Sequence, residues 1–186
     1  RTAQDLLDED FRVACGAYVK NRAKPGVRVK FDVAEAKELL DAGAGLNSVD
    51  GDAWTSLHWA AAEDYVPVLK FLLKQEGLEL DRQDKSDCTA LWTAAYNGIY
   101  STAMLLLFAG ASLTPQGSAL GTRTCTAETA ARSQRHSTVA NVIGAEAELR
   151  RADPERQGRL RRGEVEEGDF RTEVKDTVAA KNSGRK

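Results

Sequence analysis

A repeat period in the low thirties constrains this chain more than any other feature. The segment Trp54-Thr55-Ser56-Leu57-His58-Trp59-Ala60-Ala61 returns as Cys88-Thr89-Ala90-Leu91-Trp92-Thr93-Ala94-Ala95, with Thr55 and Thr89 standing 34 residues apart. Leu72-Leu73 and Leu106-Leu107 are also 34 apart, and Leu39-Leu40 precedes Leu72-Leu73 by 33. A small-residue helix followed by a leucine-rich one, repeated at this interval, builds a stacked array. The alanines are small for a physical reason. First helices of neighbouring units pack side by side, and bulkier residues would open voids between them.

Taken in order, the pattern predicts an opening helix from Leu6 to Arg22. Phe11, Ala14, Cys15, Tyr18 and Val19 form its buried stripe, and Asp8-Glu9-Asp10 sits at its positive end. Lys24 to Lys30 reads as a loop around Pro25-Gly26. Arg22, Lys24, Arg28 and Lys30 make it basic: a solvated connector, or alternatively a docking patch for an acidic partner. Val33 to Asp41 is the next helix, and Gly43 lets the chain leave it in a left-handed conformation. Asn47 to Ala53 is the first full finger. Thr55 caps the helix after it, and Val66 to Lys74 follows with Pro67 at its start. The plan repeats with Thr89 to Tyr96 and Ser101 to Phe108. A lengthened finger spans Thr114 to Thr124, since Thr89 to Thr126 is 37 residues. Thr126 to Ser133 and Thr138 to Ile143 form the closing pair.

These motifs resemble the ankyrin-repeat family. Thr55 and Leu57-His58 match its Thr-Pro-Leu-His motif with Ser56 in the proline place, Ala60-Ala61 match the small pair, and Leu72-Leu73 the leucine pair. Thr89, Ala90 and Leu91 repeat the motif with Trp92 in the histidine place, followed by Gly98, Leu106-Leu107 and Gly110-Ala111. Leu39-Leu40, Gly43-Ala44 and Asn47 close an earlier unit, and Thr126-Ala127, Ala131, His136 and Val142-Ile143 form a degenerate last one. Three positions depart from the family's glycines: Ala53 and Asp87 in the finger turns, and Asp64 between helices. With an inserted Glu76, these imply distorted turns. The resemblance implies an all-α helical solenoid of about four units, two regular and two degenerate. It also implies a ring hydrogen bond across the turn from His58, an internal role for Trp92, and partners met at finger tips and first helices.

The array fills residues 1–144, its opening helix acting as a cap. From Gly144 to Lys186 the chain carries 11 Lys or Arg and 10 Asp or Glu with few large apolar residues. Such a segment buries too little surface to offset its ordering entropy alone, so residues 145–186 are expected to be a charged extension ordered by a partner, or alternatively by the array's own flank. Net charge is −2, which creates no general attraction to nucleic acid or anionic membrane. No apolar run reaches membrane-spanning length. Cys15, Cys88 and Cys125 lack metal or disulfide-scaffold spacing, which suggests reduced thiols in an intracellular compartment. Arg1 opens the sequence without methionine or a signal segment, as in a trimmed or processed chain.

Nothing in the sequence supplies a nucleophile with an oriented base or a phosphate-binding glycine loop, and neither cofactor nor metal is expected. His136, at a helix start, suits packing or capping. Paired carboxylates such as Glu63-Asp64 and Glu166-Glu167 read as solvated charge. The candidate contacts are aromatic and polar: Asp52 and Trp54 on the first finger, Trp59 and Glu63 on the next helix, and Tyr65 at its junction; for Trp54 and Trp59 the alternative is packing between units. Ser86, Cys88, Tyr96, Asn97 and Tyr100 follow in the next unit, with Phe170 on the extension. Trp and Tyr offer large contact area with few torsions. The sequence therefore reads as a noncatalytic protein-binding module, an accessory subunit of a larger assembly. A transient adaptor or inhibitor is the first alternative, and weak nucleic-acid association through Arg150-Arg151 and Arg156 to Arg162 the second. No small-molecule substrate is expected.

Overall fold

The computed structural model describes residues 2–16, 32–117 and 125–183. Tyr18, Val19, the basic loop of Arg22, Lys24, Arg28 and Lys30, and the tip of the lengthened finger lie outside them. The described residues form ten helices and one two-residue antiparallel pairing. Unit one contains α1 (Ala3–Ala14) and α2 (Val33–Asp41), and unit two α3 (Ser56–Ala62) and α4 (Val66–Leu72). Unit three contains α5 (Ala90–Tyr96) and α6 (Tyr100–Phe108). Unit four contains α7 (Ala127–Ser133) and α8 (Ser137–Ala152), followed by α9 (Arg156–Arg161) and α10 (Glu167–Ser183). Strands β1 (Gln116–Gly117) and β2 (Cys125–Thr126) close the base of the lengthened finger, Gly117 opposite Cys125.

First helices stack on first helices, α3 on α5 and α5 on α7, while α2, α4, α6 and α8 form the second layer. Ala60, Ala61, Ala94, Ala95, Ala130 and Ala131 are all buried at the contacts of the first layer, where their small size sets the close spacing. Val68, Leu69, Leu72, Leu106 and Leu107 fill the space between layers. Thr55, Thr89 and Thr126 each cap a first helix, their hydroxyls accepting the backbone N–H three residues on; this removes one of the unsatisfied donors at a helix start.

The opening helix differs from the expected one. It starts at Ala3 in a capping box between Thr2 and Asp5, so Asp8 to Asp10 lie beyond its first turn. Asp8 instead accepts the Gly45 N–H at 2.7 Å, tying α1 to the turn after α2. Described helix ends at Ala14, and Gly16 follows at φ 100°, where Tyr65 packs so closely that a Cβ would sit 2.5 Å from its ring.

The larger correction concerns the C-terminal extension. α8 does not stop near Ile143 but continues to Ala152. Gly144 lies buried inside it because the backbone there meets Glu128 and Lys181: a Cβ would come within 2.9 Å of Glu128 Oε1. α9 and α10 fold back onto α8, burying Leu160, Phe170 and Val174. Phe170, expected to meet a partner, instead packs against Phe108 at 5.5 Å between ring centroids. Arginine supplies much of the seat. Arg150 donates to the carbonyl of Ala111 at 2.7 Å, while Gln157 and Arg161 donate to that of Gly110 at 3.1 and 3.0 Å. These groups lie at and just past the C-terminal end of α6, where carbonyls lack helical partners.

Glu146 holds this region together. Fully buried, it accepts from Arg150 Nε at 2.8 Å and from Arg156 Nε at 3.1 Å. Arg156 also reaches Glu173 on α10 at 2.5 Å and lies 5.6 Å from the Phe170 ring centroid. Burial works against its charge, yet Glu173 and Glu146 outweigh that and raise its pKa. Arg156, held between Glu146 and Glu173, thus links α8, α9 and α10. Replacing Glu146 with alanine removes the carboxylate shared by Arg150 and the buried Arg156, leaving Arg156 with Glu173 alone, and we expect a loss of about 3 kcal/mol in denaturant unfolding, with hydrogen exchange accelerating first in α9 and α10.

Candidate functional site

The two complete fingers share one pattern of backbone hydrogen bonds. Asp50 Oδ1 accepts the N–H groups of Asp52 and Trp54 at 2.9 and 3.0 Å. Asp84 Oδ1 accepts those of Ser86 and Cys88 at 2.7 and 2.9 Å. Each turn closes through a backbone pair, Asp50 N–H to the Trp54 carbonyl at 3.0 Å and Asp84 N–H to the Cys88 carbonyl at 2.9 Å. Ala53 and Asp87 adopt φ of 62° and 60°. The turns are therefore regular rather than distorted: the aspartate amide bonds hold non-glycine residues in the left-handed region. Asp64, at φ 55°, has its own compensation, accepting from Ser101 Oγ at 2.6 Å and Thr102 Oγ1 at 2.8 Å.

The second oxygen of each finger aspartate binds an indole. Trp59 Nε1 donates to Asp50 Oδ2 and Trp54 Nε1 to Asp84 Oδ2, both at 2.9 Å. Trp54 therefore ties its own finger to the next, and the Lys85 N–H adds a bond to the Asp52 carbonyl at 3.2 Å. Beneath them lies His58, buried and beside its capping partner Thr55, with Nδ1 2.8 Å from Thr55 Oγ1. Nδ1 also accepts the Thr55 N–H at 3.3 Å, so Nε2 carries the proton and donates to the Cys88 carbonyl of the next finger at 3.1 Å. Trp92 does the same one unit later, its indole N–H meeting the Cys125 carbonyl at 2.9 Å. This is the internal role that its position implies.

Between these fingers and helices α3 and α5 is a cleft of about 440 Å³. Seven of the residues expected from sequence line it: Asp52, Trp54, Trp59, Ser86, Cys88, Tyr96 and Asn97. Trp54 and Trp59 meet at 4.8 Å and 59°, while Tyr96 stacks on Trp92 at 5.1 Å and 11°. Asp84, Lys85, Trp92 and Thr93 complete the lining and were not among the expected contacts. The 34-residue offset from Asp50 to Asp84 could have found the aspartate. Glu63, Tyr65, Tyr100 and Phe170 are not part of this cleft. Glu63 is exposed at the end of α3, Tyr65 packs at the junction to α4, Tyr100 is half-buried at the start of α6, and Phe170 is internal.

Residues 29–116 match the family model for ankyrin repeats, in three copies. Those residues are ankyrin repeats. Ankyrin repeats are protein–protein interaction modules, and no curated protein matches this chain. No helix among the described residues is long and apolar enough to cross a membrane. The ankyrin motif histidine, His58, is kept neutral chiefly by burial, which lowers its pKa below 6.5 against the pull of the Cys88 carbonyl, Asp84 and Asp50. Burial likewise pushes the Cys15 thiol up to about 12, against a lowering contribution from Ser56, so this thiol stays protonated and unreactive.

The neutral histidine makes stability depend on pH. On acidification through pH 6.5 the unfolded chain gains a proton at His58 before the folded one does, so stability falls as pH drops below that value. Equilibrium unfolding at several pH values should show the fall in the native chain and a shallower one in His58→Gln. The finger turn gives a second expectation. Ala53→Gly relieves a left-handed alanine and should stabilise by about 0.5–1 kcal/mol in the same measurement. The same exchange at Asp64 should give no gain, because it removes the acceptor for Ser101 and Thr102.

Proposed function

We propose that this ankyrin array is a noncatalytic adaptor that captures a segment of another protein in the cleft between the second and third units. The observation that carries this reading is the convergence of half-buried aromatic rings and exposed polar finger residues on one preformed cavity. Rigid aromatic groups supply binding energy at small entropic cost, and the aspartate bonds hold the fingers in place before a partner arrives.

The expected accessory-subunit role drew its support from an extension in need of a partner. α9 and α10 have a seat on the array itself, which favours the adaptor reading over a permanent structural subunit. Nucleic-acid association draws little support either. Arg150 and Arg156 are held by Glu146, Arg159 pairs with Asp153, Arg161 with Asp81, and Arg162 with Glu164. Cys15, Cys88 and Cys125 form no disulfide, which favours a reducing intracellular setting.

The test is quantitative capture from native extract by the full chain, by a Ser86→Arg/Asn97→Arg variant and by a Thr172→Arg variant on α10. Ser86, Asn97 and Thr172 are exposed, so all three proteins should fold alike by circular dichroism. The finger variant should lose the captured protein at least about tenfold, the scale of a single interface hot spot, and the α10 variant should retain it. Loss only with Thr172→Arg would move the docking surface to the extension and restore the accessory-subunit reading.

A further inference from the structure

We infer that the cleft recognises a cationic side chain, lysine or arginine, on a basic segment of the captured protein. The inference rests on the reading of the cleft as the protein-binding site and gives that site its chemistry.

Charge and aromaticity coincide here. Asp52 and Asp84 line the cavity, and Asp50 lies directly behind the Trp59 indole N–H. Asp50 and Asp84 take their hydrogen bonds from neutral N–H groups, two backbone amides and one indole each. Neither carboxylate forms an ion pair among the described residues, so both charges act at the cleft. Against these three carboxylates the lining offers one ammonium, Lys85, on an exposed finger tip. A cation entering the cavity would meet a negative potential on a weakly hydrated aromatic surface, where such attraction is stronger than in bulk water.

The indole bonds sharpen the preference. Rings attract cations through the negative faces of their π systems. Trp54 and Trp59 each donate their edge N–H to a carboxylate at 2.9 Å. Such a bond polarises the indole toward its carbon framework, making the face more negative, just as hydrogen bonds in a chain strengthen one another. It also fixes both rings, at 4.8 Å and 59° to each other, so that the cavity meets ring surface while the N–H edges are already occupied. The Trp92–Tyr96 pair supplies a second aromatic wall from the next unit. An anionic side chain would face the Asp52 and Asp84 carboxylates, with Asp50 behind the Trp59 ring. A neutral apolar one would gain the area but none of the field.

The experiment uses the full chain and reads the indole N–H resonances of its three tryptophans by nuclear magnetic resonance during titration with blocked pentapeptides. Each peptide has four alanines around a central lysine, arginine or norleucine, the last a neutral chain of similar length. The lysine or arginine peptide should shift the Trp54 and Trp59 signals saturably, and the norleucine peptide should bind roughly tenfold more weakly. Lys85→Glu, which removes the competing charge and leaves every ring in place, should strengthen binding of the charged peptides, and added salt should weaken it. Equal binding of the norleucine peptide, or no indole response to either cation, overturns the inference. In either case, continued loss of the captured protein with Ser86→Arg/Asn97→Arg would show that the cleft still binds protein and that only its preference for cations fails.

Discussion

Everything in this array depends on a buried ring N–H that reaches from one unit to a backbone carbonyl of the next. His58 supplies it to Cys88 at 3.1 Å and Trp92 to Cys125 at 2.9 Å. The Cys88 carbonyl also closes its own turn with the Asp84 N–H, so the ring bond is a second partner, gained only when the preceding unit is folded beneath the finger. The same dependence recurs at the other end of each repeat. Asn47 bonds to Gly77 and Glu79 of the second unit at 2.8 and 2.9 Å, and Asp81 accepts from Ser112 of the third at 2.7 Å. Alanine contacts set how close the units lie, and these cross-unit bonds set their register. Stability is then shared between neighbours, as expected for a one-dimensional stack.

The first and last described helices are held to the stack by different physical devices. At one end of the described residues, α1 anchors itself through Asp8 to Gly45. At the other end, α9 and α10 cover α8 and the end of α6. They do so with little aliphatic surface, relying on Phe170, Val174 and Leu160 and on arginine stems that lie along the array before their heads find carbonyls and carboxylates. Long charged side chains can cover apolar surface in this way. Burying Glu146 between Arg150 and Arg156 contributes more to specificity of placement than to net stability, because desolvation offsets much of the ion-pair attraction.

The repeat period made units two and three legible almost residue by residue. Helix α2 falls within its expected bounds, α5 and α6 start within a residue of theirs, and the threonine caps are where the motif places them. Seven cleft residues were also readable, because repeats put residues of equal phase on one face. What was not legible depended on contacts distant in sequence. Gly144 looks like a helix end from composition, and its need for a glycine appears only when Glu128 and Lys181 close on it. The extension looks too polar to fold because a count of apolar residues ignores the pairing of Arg156 with Glu146 and of Lys181 with Glu148. Asp84 was missed for a related reason: its value lies in the Trp54 indole 30 residues before it.

The finger aspartates join stability to recognition. One oxygen of Asp50 and of Asp84 fixes a turn whose left-handed position carries no glycine, and the other fixes a tryptophan ring. The turn cannot relax without loosening the ring, and the ring cannot rotate without exposing the turn. A binding surface on such fingers starts with most of its ordering entropy already spent in folding. The two complete fingers therefore form a preorganised pair, and the cleft lies where they meet. At the described base of the lengthened finger the Trp92 bond recurs, and Gly117 pairs with Cys125. There Gly117 approaches Cys88 so closely that a Cβ would sit 2.6 Å from its Sγ. That contact seats the base of the lengthened finger against Cys88 and Trp92, both of which line the cleft, while the aromatic and acidic side chains of units two and three define what can enter.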